Sequence, residues 1–139
     1  MKLQVLQNSV NRLLTGARYD TPTADLLHAT NSLSIQQMIT YHTLVMVHKV
    51  VNTRQPSYLA ERLQIRIRPV DARKLRGQGE RMIVECEKSL SVSRGGFVYR
   101  GGRLFNMLSE NLRAETATKK FKAGVRTWVK QNIEIKPGI

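Results

Sequence analysis

Acidic residues are scarce in this chain of 139 residues: 10 Asp and Glu stand against 23 Lys and Arg, a formal net charge of +13. An excess of one sign repels itself and calls for an acidic partner, such as nucleic acid or an anionic surface. Cysteine is nearly absent. The single thiol, Cys86, excludes an internal disulfide and fits a reducing, intracellular setting, nuclear or cytoplasmic. Carboxylates are not only few but dispersed. The three aspartates, Asp20, Asp25 and Asp71, are never adjacent, whereas a two-metal centre needs grouped carboxylates to hold cations about 4 Å apart. His28, His42 and His48 have no paired Cys or His at zinc-ligand spacing, and they read as core or boundary histidines. A phosphate-binding Gly-x-x-x-x-Gly-Lys-Ser/Thr loop is missing. The sequence therefore predicts neither catalytic residues nor a metal nor a cofactor.

Long hydrophobic runs are missing too. The longest apolar stretch, Ile35 to Val51, is broken by Gln36, Gln37, His42, His48 and Lys49, too short and too polar to span a bilayer. The opening "MKLQVLQNSV" carries Gln and Asn within its apolar portion and does not read as a signal peptide. No membrane association is expected. The length is that of one domain, able to bury roughly two thirds of its unfolded surface. With 41% apolar residues but only three Phe, four Tyr and one Trp, its core should be aliphatic.

What is present is helical periodicity. Leu3, Leu6, Val10, Leu13 and Leu14 fall on one side of a helix, and Gly16 and Pro22 end the pattern. A helical turn follows from Thr23 to His28. Ser34 with Gln37 forms a capping box before the strongest helix, where Ile35, Met38, Ile39, Val45, Met46 and Val50 share one arc and Tyr41, Leu44, Val47 and Val51 the other. A helix apolar on both sides is buried on both, although its valines keep a strand open as the weaker alternative. Pro56 fits the first turn of another short helix. "IRIRPV" alternates as a strand does, "DARKLRGQGERM" reads as a basic loop, and "MIVECEKSLSV" as a second strand able to pair with the first. Phe97, Leu104, Phe105, Leu108 and Leu112 then form one stripe, and Phe121, Val125, Trp128 and Val129 another. The fold class expected is mainly α: a single domain over residues 1–139 with about five helices. It divides into a helical half (1–63), a basic loop with short strands (64–96) and C-terminal amphipathic helices (97–139).

Charge is concentrated towards the end. Residues 118–139 hold six basic residues against one acidic, while residues 1–60 hold five against two. Lys119, Lys122, Arg126 and Lys130 recur at spacings of three, four and four beside the last apolar stripe, an arrangement that can follow a phosphate backbone while the apolar side packs. Arg66, Arg68, Arg73, Lys74 and Arg76 could add salt-sensitive, sequence-blind contacts from the middle segment. If five or six phosphates are neutralised, affinity should fall by about two to three decades from 50 to 200 mM salt. "RGGFVYRGG" carries two Arg-Gly-Gly triplets, too few for a low-complexity RNA-binding box. Within a helix, Gly101 and Gly102 would each cost about 1 kcal/mol relative to Ala, which implies close packing or a decayed helix.

Four blocks, in order, give the chain a resemblance to the C-terminal part of reverse transcriptases of non-LTR (LINE-type) retrotransposons. "LQNSVNRLLTGARYDTPTADLL" resembles the segment after the polymerase palm. "LSIQQMITYHTLVMVHKVVNTRQPSYLAERL" resembles the family's L-S-V-x-Q-x-x-x-Y-H-T-L-x-x-x-x-K block with its closing Pro-x-Tyr-Leu. "GGFVYRGGRLFNMLSENLR" is similar to S-F-x-x-R-x-x-x-L-W-N-x-L-P-x-x-I-R, and "FKAGVRTWVKQNIEIKP" to F-K-x-x-L-K-x-W-V-x-x-N-I. The resemblance implies a mostly helical thumb and post-thumb region that grips template–primer. The family's Tyr-x-Asp-Asp motif, endonuclease domain and Cys/His knuckle are not in this chain, so those activities carry over to no residue here. Departures from the family pattern are Phe105 for a usual Trp, Ser109 for a Pro, Gly101–Gly102 within a helix, and Asn31–Ser32 where a Trp is common; each should loosen packing. The expected function is non-catalytic binding of an RNA or DNA backbone. The alternatives are a protein-interaction module, using the stripe of Leu3, Leu6, Val10 and Leu13 and the surface of Ile35 to Val51, or a translated relic without function.

Overall fold

The computed structural model describes residues 2–63, 65–66, 83–84 and 96–135. It is mainly α. Seven helices occur among the described residues: α1 (Lys2–Thr15), α2 (Thr23–Thr30), α3 (Ile35–Thr53), α4 (Ser57–Arg62), α5 (Phe97–Met107), α6 (Glu110–Ala114) and α7 (Thr118–Asn132). Two short strands, β1 (Ile65–Arg66) and β2 (Ile83–Val84), pair antiparallel with Ile65 opposite Val84 and Arg66 opposite Ile83. The helices fall into two compact units, Met1–Tyr41 with Val129–Ile139, and His42–Trp128.

In the first unit α1 packs on α2 through amides rather than through its leucines. Asn8 and Asn11 are the buried residues of α1, whereas Leu3, Leu6, Val10, Leu13 and Leu14 are exposed. Gln4 Nε2 donates to Gln7 Oε1 (2.7 Å) and Asn8 Oδ1 (3.1 Å), and Asn8 Nδ2 donates to Thr23 Oγ1 (2.9 Å). The ladder also satisfies the backbone entering α3: Gln7 Nε2 donates to Leu33 O (2.8 Å), and Ile35 N–H donates to Gln4 Oε1 (2.9 Å). Buried backbone groups need such partners, and these side chains reach them from the polar side of α1. Leu26, Leu27 and Leu33 supply the apolar part of this unit.

The capping box at the start of α3 forms as its sequence predicts. Ser34 N–H donates to Gln37 Oε1 (3.0 Å), and Gln37 N–H donates to Ser34 Oγ (3.2 Å). The second end of the Gln37 amide donates to Ile133 O (2.9 Å), just beyond α7. Asn31 ends α2 with φ of 50°, a left-handed C-cap. A residue expected to loosen packing thus has a local task that Asn performs well. Gly16, at φ of 65°, follows α1 in the same conformation.

The second unit is built around Leu44, Val47 and Val50 of α3, all fully buried. Two-sided burial of α3 holds only in part. Met46 is exposed and Val45 half-buried, because the buried side also takes in Thr40 and His48, polar groups that have partners there. Pro56 is the N-cap of α4.

The stripe from Phe97 to Leu112 runs across two helices. Leu108 turns extended, and Ser109 restarts the chain as N-cap of α6, its Oγ accepting from Leu112 N–H. Ser109, too, serves the fold, since a hydroxyl caps a helix. This break, which makes α6 a separate helix, and the growth of the expected turn at Thr23 into a helix that runs to Thr30 bring the helices above the five or so expected.

Gly101 and Gly102 are buried within α5. A Cβ on Gly101 would lie 2.6 Å from Val47 Cγ2, so this glycine marks close packing of α5 on α3 rather than a decayed helix. The second Arg-Gly-Gly triplet is therefore a helical packing element. Gly124 of α7 meets Leu112 of α6 in the same way.

Candidate nucleic-acid interface

Alternation of apolar and basic residues decides how α7 sits. Phe121 and Val125 are fully buried in the second unit, and Val129 in the first. His48, 3% exposed, stacks on Phe121 with ring centroids 3.9 Å apart and planes 15° from parallel. Its Nε2 also lies 2.8 Å from Glu115 O, so one histidine ties α3 both to the chain entering α7 and to α7 itself. Such a stack adds about 0.5–1.5 kcal/mol beyond area burial.

With that side fixed, the cations fall where the spacing puts them. Lys119 and Lys122 are exposed and Arg126 is half-buried, three and four residues apart along one flank of α7. The helix holds five basic residues (Lys120 and Lys130 are the others) and no acidic one. Lys119 and Lys120 occupy its first turn, where the macrodipole is positive and disfavours cations by roughly 0.3–1 kcal/mol each. An anion at this end offsets both the lysines and the dipole. The aromatic side chains of α7 point elsewhere: Phe121 is buried and Trp128 half-buried. The flank thus presents charge without an exposed ring for base stacking.

Lys130 belongs to the first unit. Its Nζ donates to Asn31 Oδ1 at 3.2 Å, giving it a structural partner. The middle cluster is represented only by the backbone of Arg66 in β1; Arg68, Arg73, Lys74 and Arg76 lie outside the described residues. Sequence reasoning passed over Lys120, and also Arg100 and Arg103, exposed on α5 three residues apart. The helical period of α5, once separated from the glycine-box motif, would have found them. Among the described residues no group of three His, Cys, Asp or Glu is placed to hold a metal ion, and no helix is long and apolar enough to cross a membrane.

His28 and His42 are exposed on α2 and α3, and only His48 is a core residue. The ion pair Arg18–Asp20 (3.5 Å) is solvent-exposed on both sides and contributes little. No protein-family model matches this chain, and neither a curated protein nor a solved structure matches it.

Proposed function

We propose that this protein binds the phosphate backbone of nucleic acid through α7 without catalysing a reaction on these residues, in the manner expected of a polymerase thumb. The observation that carries this reading is the row of Lys119, Lys122 and Arg126, with Lys120 beside it, on a helix that has no acidic residue of its own and whose opposite side is anchored by Phe121 and Val125. An anchored helix presents its charges at fixed spacing, so little ordering entropy is lost on binding. Lysines at the positive end of a helix favour a polyanion for the reason that they disfavour the free helix. Because α7 carries no exposed aromatic ring, the contacts of this helix are to phosphates and are sequence-blind. The resemblance to the C-terminal region of LINE-type reverse transcriptases supports the same conclusion independently of charge.

The test is binding of a short duplex and a single strand, each at 50 and 200 mM salt, to the intact chain and to a Lys119→Glu/Lys122→Glu variant. Affinity that falls steeply with salt and drops in the variant supports the reading. Salt-independent binding, or binding untouched by the charge reversal, overturns it.

A further inference from the structure

Folded into α5, the second Arg-Gly-Gly triplet and the arginine after it make a turn of helix with two unlike sides. Gly101 and Gly102 are buried, whereas Arg100 and Arg103 are exposed. The missing side chain of Gly101 lets the backbone press onto α3: a Cβ there would lie 2.6 Å from Val47 Cγ2 and 3.6 Å from Thr43 Cγ2. Strand β2 also packs on α5. Both arginines thus stand on a seated helix, three residues apart, with Cβ atoms roughly 5–6 Å from each other. No acidic residue lies on α5. Among the described residues of the His42–Trp128 unit only Glu61, Glu110 and Glu115 are acidic, and neither guanidinium has a carboxylate or a side-chain hydrogen bond there. A guanidinium carries five donors and no acceptor, so this pair presents two open forks that an outside anion can satisfy.

We infer that Arg100 and Arg103 form a clip for two successive phosphates of one nucleic-acid strand, each held by a bidentate guanidinium contact. The ligand class rests on the reading of α7 as a phosphate-binding helix; the residues and the mode of contact do not. Charge selects an anion, and the fork selects its shape, because two parallel N–H groups match two oxygens of one phosphate. A phosphodiester strand repeats that acceptor at every nucleotide, so two forks at fixed separation find partners on any sequence. The α5 pair therefore differs in kind from the α7 lysines. Lysine acts as a hydrated point charge, whereas arginine adds a requirement of geometry. Close packing at Gly101 serves that requirement by fixing the helix from which both forks extend.

The probe is a 20-nucleotide thymidine oligomer, followed by fluorescence anisotropy against the intact chain between 50 and 200 mM salt. Arg100→Gln/Arg103→Gln should weaken binding about tenfold. It should also lower the magnitude of the slope of log affinity against log salt by about 1.4, two contacts at about 0.7 each on a single strand. Arg100→Lys/Arg103→Lys keeps both charges and loses both forks, so the slope should hold while affinity falls at least about threefold. Both variants should retain their helical circular dichroism, since both side chains are exposed. Lys119→Glu/Lys122→Glu, measured alongside, reports on α7. Binding lost in that variant but untouched by the glutamine pair overturns the clip and leaves the reading of α7 standing; the reverse overturns the role of α7 and leaves the clip. Full affinity in the lysine pair overturns bidentate contact. A 20-residue polyglutamate that binds as tightly as the oligomer, and through the same arginines, overturns the inference in favour of an acidic protein. Absence of binding by the intact chain sinks both readings.

Discussion

Gly101 on α5 lies so close to Val47 on α3 that a Cβ there would sit 2.6 Å from Val47 Cγ2. Val is stiff at χ1 and Val47 is fully buried, so it has little room to yield. Gly101→Ala should therefore destabilise by about 1–2 kcal/mol, the overpacking outweighing a gain of about 1 kcal/mol in helix propensity. In a double-mutant cycle by urea denaturation, Val47→Ala should recover part of that loss. Additive single effects would show that the two residues do not constrain each other.

Gln37 uses both ends of its amide, accepting from Ser34 N–H and donating to Ile133 O. Gln37→Ala should cost about 2 kcal/mol, because both partners lose a hydrogen bond in a buried setting. Gln37→Glu keeps the capping acceptor but puts a carboxylate oxygen against the Ile133 carbonyl, and it should be no better than alanine. A glutamate variant as stable as wild type in thermal melts would refute the second bond.

His48 divides its work between a stack on Phe121 and the polar contacts of Nε2, with Glu115 O (2.8 Å) and Asn52 Nδ2 (2.9 Å). His48→Phe preserves the first and removes the second, for a loss of about 1 kcal/mol. His48→Ala removes both and opens a cavity, for a loss of about 3 kcal/mol. Chemical denaturation should rank the variants in that order.

Arg54 follows α3 at φ of 55°, a region that strains a residue with a Cβ. Arg54→Gly should raise stability by a few tenths to about 1 kcal/mol, the relief being partly offset by greater freedom of the unfolded chain. A lower melting temperature would contradict this.

Under the proposed function, each phosphate contact on α7 should contribute a slope of about −0.9 in a plot of log affinity against log salt on duplex DNA. Replacing Lys119, Lys122 or Arg126 singly by Gln should lower the magnitude of that slope by about one, whereas Arg18→Gln, far from α7 in sequence, should leave it unchanged. An unaltered slope in all three α7 variants would remove this helix from the interface.

The helices were legible where period, cap and punctuation agreed. The Ser34–Gln37 box, Gly16, Pro56 and the apolar side of α7 all occupy the places their chemistry indicates. The break at Ser109 was hidden because the apolar stripe continues in phase across it. Period alone cannot show that Leu108 has turned extended. The orientation of α1 was likewise out of reach: a leucine stripe and an amide stripe lie on one helix, and only the demand of Leu33 and Ile35 for hydrogen-bond partners decides between them. Of the cationic row, Lys119 and Lys122 stand exposed as spacing predicts, while the bond from Lys130 to Asn31 spans 99 positions of sequence and left no local trace.

The amide ladder beneath α1 has a practical corollary. Gln4, Gln7, Asn8 and Thr23 are neutral, so these hydrogen bonds offer added electrolyte no ionic attraction to screen. If α7 binds polyanions as proposed, concentrated salt should strip them from its lysines while leaving the amino-terminal helix seated, so that their release and loss of structure become separable events in a single titration.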